Sequence, residues 1–87
     1  MPVSPRFEVE VQLFASVREA IGRDRVRIAL DAGARAADVL EALAREYPAV
    51  GAARRSLAVA VNQEVVRPEH GVAPGDEVAL IPPVGGG

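Results

Sequence analysis

Phe7-Glu8-Val9-Glu10-Val11-Gln12-Leu13 alternates apolar and polar residues without a break. Successive side chains of a strand point to opposite faces, so a period of two marks a strand with one buried face and one wet face. Directly after it, Ala15 to Gly22 (ASVREAIG) changes to helical spacing, with Val17, Ala20 and Ile21 on one side and Gly22 as a stop. Val26, Ile28 and Leu30 then alternate with Arg25, Arg27 and Ala29, which predicts a second strand antiparallel to the first. Everything else in the chain has to pack around this strand–helix–strand unit.

Beyond a turn at Asp31-Ala32-Gly33-Ala34, the stretch from Ala36 to Tyr47 (AADVLEALAREY) carries the clearest helical pattern. Val39, Leu40, Leu43 and Tyr47 share one face, and Glu41 and Arg45 form an outward i,i+4 pair in the favourable order. Asp38 falls in the first turn, where a negative charge complements the helix dipole. Pro48 disfavours helical geometry at Tyr47, so the helix is expected to end there. The next residues read as a polar connection without pattern. Leu57-Ala58-Val59-Ala60-Val61 alternates again, Asn62-Gln63-Glu64 turns the chain, and Val65-Val66 forms a short extended piece. Ala73-Pro74-Gly75-Asp76 is a turn signal, and Glu77 to Ile81 is the last strand. The order predicts an α+β, ubiquitin-like β-grasp fold: a mixed sheet of four or five strands with one principal helix across one face. The first and last strands are expected to pair centrally and in parallel. Residues 1–6 read as a flexible lead-in, 7–82 as the domain and 83–87 as a flexible C-terminal tail.

The 87 residues suffice for one domain, and 49% of them are hydrophobic, yet Phe7, Phe14 and Tyr47 are the only aromatics. The core is therefore aliphatic. Formal charge is −2 and no basic stripe is visible, which argues against a nucleic-acid module. Without cysteine there is no disulfide, no thiolate nucleophile and no Cys-based metal site. No apolar run reaches the ~20 residues that cross a bilayer, and Met1 to Arg6 has no leader pattern. No membrane association and a cytoplasmic location are the expectation. All ten basic residues are Arg, so the chain offers no lysine amine.

Parity assigns faces. Phe7, Val9, Val11, Leu13, Val26, Ile28, Leu30, Leu57, Val59, Val61, Val78 and Leu80 share the inner parity and should lie under the helix. The outer parity holds Glu8, Glu10, Gln12, Arg25 and Arg27, as a wet face should. It also holds Phe14, Ala29, Ala58, Ala60, Ala79 and Ile81, which points to a surface that another protein covers. A catalytic constellation is missing: His70 is the one histidine, in a loop, and no nucleophile motif, phosphate loop or metal spacing accompanies it.

What remains is the end of the sequence. Ile81-Pro82-Pro83-Val84-Gly85-Gly86-Gly87 leads from a strand through a stiff stem into residues without side chains. Extended, Pro82 to Gly87 reaches roughly 20 Å at about 3.3–3.6 Å per residue, enough to carry a terminal carboxylate into another protein's active site. Ordering three glycines costs roughly 3–6 kcal/mol at ~1–2 kcal/mol per residue, so the thread binds poorly unless the sheet face anchors it.

Phe14-Ala15-Ser16-Val17-Arg18-Glu19, Val59-Ala60-Val61-Asn62-Gln63-Glu64, Gly75-Asp76-Glu77-Val78 and the segment from Ile81 to Gly87 together resemble the ubiquitin-like sulfur carriers that form the small subunit of molybdopterin synthase, the MoaD-like family. The likeness runs from about Phe7 to the last residue. It implies a small, non-catalytic sulfur-donor subunit with no complete active site and no bound cofactor of its own. An E1-like adenylating enzyme spends ATP to activate the Gly87 carboxylate, and a sulfur donor protein supplies the sulfur of a C-terminal thiocarboxylate. The large subunit of molybdopterin synthase then receives the tail, and the sulfur builds the dithiolene of molybdopterin. By motif position, Phe14, Arg18 and Ile81 fall in the partner interface. Pro82, Pro83, Val84, Gly85 and Gly86 form the threaded segment, and Gly87 carries the acyl-adenylate and thiocarboxylate. Gly85 stands where the family usually has Ser, Ala or Thr, and Ile81 where a bulkier aromatic is common. Related carriers serve thiamine synthesis, tRNA thiolation or amino-acid synthesis. A ubiquitin-like modifier that forms isopeptide bonds, or a β-grasp module with an inert tail, are the other readings.

Overall fold

The computed structural model describes residues 6–82. The elements run β1 (Arg6–Leu13), α1 (Ala15–Ile21), β2 (Arg25–Asp31), α2 (Ala36–Glu46), α3 (Pro48–Ala53), a single 3-10 turn at Arg54–Ser56, β3 (Ala58–Val61), β4 (Glu64–Val66) and β5 (Val78–Ile81). The sheet order is β2-β1-β5-β3-β4. β1 and β5 are parallel, and the other three pairings are antiparallel. This is the expected mixed sheet, with five strands. α2 contacts both β2 and β3 and so crosses one face of it. The architecture is α+β, a ubiquitin-like β-grasp.

The inner parity is buried as alternation requires. Val9, Val11 and Leu13 of β1, Val26, Ile28 and Leu30 of β2, Val59 and Val61 of β3, and Val78 and Leu80 of β5 close against Val39 and Leu43 of α2. Each such fully buried aliphatic side chain is worth roughly 1.5–3 kcal/mol relative to exposure, which is how a core without buried aromatics holds.

Four details depart from the sequence reading. β1 starts at Arg6, which pairs with Asp31 in register and by an ion pair of 3.3 Å, so the sheet takes in the last residue of the expected lead-in. β3 and β5 each start one residue later than alternation suggests. The hairpin between β3 and β4 turns on two residues rather than three, because Val61 pairs directly with Glu64. The supposed unpatterned connection is helical: α3 follows α2 at once and buries Val50 completely. Pro48 does stop α2, with Tyr47 extended at φ −123° and ψ 108°, but it also occupies the first turn of α3, where a proline's missing N–H costs nothing. Glu41 then bridges both pieces, pairing with Arg45 at 3.9 Å and Arg54 at 2.6 Å.

Two loops are fixed by specific hydrogen bonds. Helices leave their first N–H groups without internal partners. In α2 the N–H groups of Ala36 and Ala37 donate to the carbonyls of His70 and Pro68, at 2.8 Å each, while the Asp38 carboxylate accepts from the N–H of Arg35 at 2.8 Å. The long β4–β5 connection is thereby tied to the helix.

The second bracket joins the hairpin turn to the start of β5. Asp76 accepts from the N–H of Ala73 at 2.8 Å and from the Asn62 amide at 3.1 Å, and the Asn62 side-chain oxygen accepts from the N–H of Glu77 at 3.0 Å. The Ala73 hydrogen bond, then that from Asn62, holds the Asp76 carboxyl below its usual range. A depressed folded-state pKa contributes stability that is complete above the ordinary Asp value of about 3.9 and is lost as pH falls through the folded value. Asp76→Ala is therefore expected to lower unfolding free energy by ~1 kcal/mol at pH 7. Urea titrations should show the gap to the parent chain narrowing toward pH 3; an equal gap at both pH values would contradict the role of the charge.

Candidate functional site: the outer sheet face

The strand registers assemble the site. Gln12 lies beside Ala79, Ala79 beside Ala60, and Ala60 beside Val65, so one row of outward side chains crosses four strands. The two alanines in the middle make a low floor, and the flanking residues make walls. At one end, the pairing of Leu13 with Leu80 sets Phe14 and Ile81 as the residues that follow on neighbouring strands. The result is a shallow hollow of about 180 Å³ lined by Gln12, Phe14, Ala60, Gln63, Val65, Glu77, Val78, Ala79 and Ile81. Phe14 is 42% exposed and Val65 65%, the two large hydrophobic side chains left open to solvent among the described residues.

Phe14 stands at a place where stability alone would choose differently. It is the N-cap of α1 and makes no side-chain capping bond, a position where Ser, Thr, Asp or Asn is worth ~1 kcal/mol. Its carbonyl accepts from the N–H groups of Val17 and Arg18, while its ring faces the hollow. Phe14 thus stands outside the buried core, on the outer side of the sheet. Arg18 is exposed on α1 and lines a second, polar hollow of about 240 Å³ with Gln12, Leu13, Phe14, Asp24 and Arg25. Phe14 is thus shared between an apolar hollow and an arginine-bearing one.

Ile81 is half-buried at the end of β5, and Pro82 directly after it is buried, so the stem begins as part of the domain. Pro83, Val84, Gly85, Gly86 and Gly87 lie outside the described residues. Of the expected site, the structure brings Phe14, Arg18, Ile81 and Pro82 to one end of the sheet. Sequence reasoning did not single out Val65 or Gln63. Their signal is the two-residue turn, which sets Val65 opposite Ala60 and therefore on the outer face.

A more voluminous hollow, about 440 Å³ between α2 and the β2 edge, offers less chemistry. Its charged groups are already engaged: Arg6 with Asp31, Arg45 with Glu41, and Asp38 with the Arg35 N–H. Among the described residues no group of three or more His, Cys, Asp or Glu side chains is placed to hold a metal ion, and no helix is long and apolar enough to cross a membrane. His70 is exposed, and its backbone carbonyl serves α2.

A model of the ThiS family matches residues 11–87, which takes in both the outer hollow and the terminal glycines. The chain belongs to the ThiS family. Within it, the chain is 40% identical to the molybdopterin synthase sulfur carrier subunit of Escherichia coli, over 91% of this chain and 99% of the relative. It is 37% identical to the protein of the same description from Chlamydomonas reinhardtii, over 92% and 99%. It is also similar to small archaeal modifier protein 1 of Haloferax volcanii, 36% identical over 91% of this chain and all of that protein. The crystal structure of that modifier superposes with a TM-score of 0.78 at 34% identity, covering 92% of this chain and 99% of the other. The chain is thus similar, over nearly its whole length, both to molybdopterin synthase sulfur carrier subunits and to an archaeal modifier protein.

Proposed function

We propose that this chain is the sulfur-carrying subunit of a molybdopterin synthase. The observation that carries the reading is the apolar outer hollow, whose wall Ile81 leads through buried Pro82 toward Gly87. A partner that covers the hollow is positioned to receive the residues that follow. The full-length similarity to molybdopterin synthase sulfur carrier subunits supports the choice of pathway.

The chemistry assigned to Gly87 proceeds on partners. A carboxylate oxygen attacks the α-phosphorus of ATP on an E1-like adenylating enzyme and pyrophosphate leaves. The acyl-adenylate turns a poor leaving group into a good one, and sulfide-level sulfur delivered by a donor protein attacks the carbonyl carbon and expels AMP, leaving a thiocarboxylate. The large subunit takes the loaded tail and supplies the acid and base groups for dithiolene formation. The division of labour suits a chain with no cysteine, whose carboxylates are the groups on which sulfur can be carried.

One observation favours a second reading, conjugation to other proteins: the similarity to an archaeal modifier over nearly the whole chain. Both readings share the adenylate. Intact-mass analysis of the chain with its activating enzyme, ATP and sulfur donor separates them. The carrier reading expects the exchange of one oxygen for sulfur at the C-terminus. An unchanged mass, or isopeptide adducts on lysines of other proteins in its place, would overturn it.

A further inference from the structure

Among the described residues, three that are not glycine have positive φ: Ala15 at 49°, Asn62 at 52° and Gln63 at 72°. Left-handed backbone is unfavourable for a residue that carries a Cβ. All three cluster around the outer hollow. Ala15 directly follows Phe14, and Asn62-Gln63 is the two-residue turn whose second member lines the hollow. Strained backbone of this kind persists where surrounding structure over-determines it, and it gathers at binding sites.

The two turn residues differ in what offsets the strain. A two-residue hairpin turn with both φ values positive is best served by Asn-Gly. Asn62 fits the first place and is held there by Asp76 and the N–H of Glu77. Gln63 occupies the place that glycine would fill at least cost. None of the side-chain hydrogen bonds among the described residues uses its amide. The same holds for Gln12 on the far side of the alanine floor. Two carboxamides without side-chain hydrogen bonds among the described residues therefore rim an apolar hollow, each able to donate and accept at once.

We infer that Gln63 is a specificity residue of the docking face: its carboxamide pairs with a main-chain amide of a partner segment that seats an apolar side chain between Phe14, Val65 and Ile81. The inference rests on the proposed docking of the synthase large subunit. The neutral carboxamide matches the N–H and C=O of a peptide group, so it reads backbone position and not charge. The strained turn fixes the backbone of Gln63, and so the direction in which its side chain leaves, in advance of binding.

The test exploits opposite signs. Gln63→Gly relieves the positive φ and should raise the melting temperature. Its dissociation constant for the cognate large subunit, by calorimetry, should nevertheless weaken about tenfold, as loss of a satisfied interfacial hydrogen bond implies. Gln63→Glu keeps the backbone and the shape but removes the donor, and should weaken binding by a similar factor. A merely structural Gln63 would give a more stable glycine variant that binds as well as the parent chain or better, and that result overturns the inference alone. If the parent chain does not bind the large subunit, the proposed function falls and this inference with it.

Discussion

Removal of Gly87 is expected to abolish sulfur transfer while leaving the melting temperature where it was. Among the described residues the buried hydrophobic core spans Val9 to Leu80 and the last strand closes at Ile81, and Gly87 brings no side chain to bury. The shortened chain still offers a glycine carboxylate, of the same intrinsic reactivity, now at Gly86. What changes is reach, by about 3.3–3.6 Å. A misplacement of even 1 Å at a reacting centre costs about a hundredfold in rate, so the loss should be at least of that order. Thiocarboxylate yield by intact mass and molybdopterin formation with the large subunit measure the activity, and differential scanning fluorimetry measures the fold. A lowered melting temperature would make residue 87 part of the structure. Retained activity would remove it from the chemistry.

The second large effect is expected at Phe14. Phe14→Ala should weaken binding to the large subunit by about thirtyfold or more, the range of an aromatic hot spot that loses 2 kcal/mol or above. Stability should change little, because the ring is 42% exposed and stands outside the buried core. The size of the effect follows from the tail. The roughly 3–6 kcal/mol spent in ordering three glycines has to be offset by contacts made elsewhere, and the outer hollow, with Ile81 in its wall, is an apolar surface that adjoins the stem. Binding unchanged in this variant would separate the hollow from the function. A large drop in melting temperature would move Phe14 into the core.

The strands were legible because alternation is unambiguous where one face is buried. Phe7 to Leu13 and Arg25 to Leu30 could be read residue by residue, and the inner parity they imply is the buried face. α3 was not legible, since Ala49-Val50-Gly51-Ala52-Ala53 has one large apolar residue and no period, and Pro48 signals both an end and a beginning. Val65 was hidden by its neighbour. In Val65-Val66 either residue can face outward, and a one-residue difference in turn length exchanges them. The two-residue turn, with Gln63 at φ 72°, settles the matter in a way that Asn62-Gln63-Glu64 alone does not. At the site, Phe14 and Ile81 were visible as apolar residues on a wet parity. The polar rim was not, because Gln12 and Gln63 look like ordinary surface residues until the registers place them across one floor.

The position of β5 has a mechanical consequence. It lies third of five, hydrogen-bonded to β1 on one side and β3 on the other, and Pro82 leaves from its end. A pull on the residues beyond runs along the strand, so it loads both ladders in shear at once instead of opening one bond at a time from an edge. A partner that grips and releases the thread with each cycle is thus hauling on the keel of the domain, and the thread should slip from its slot long before the sheet gives way.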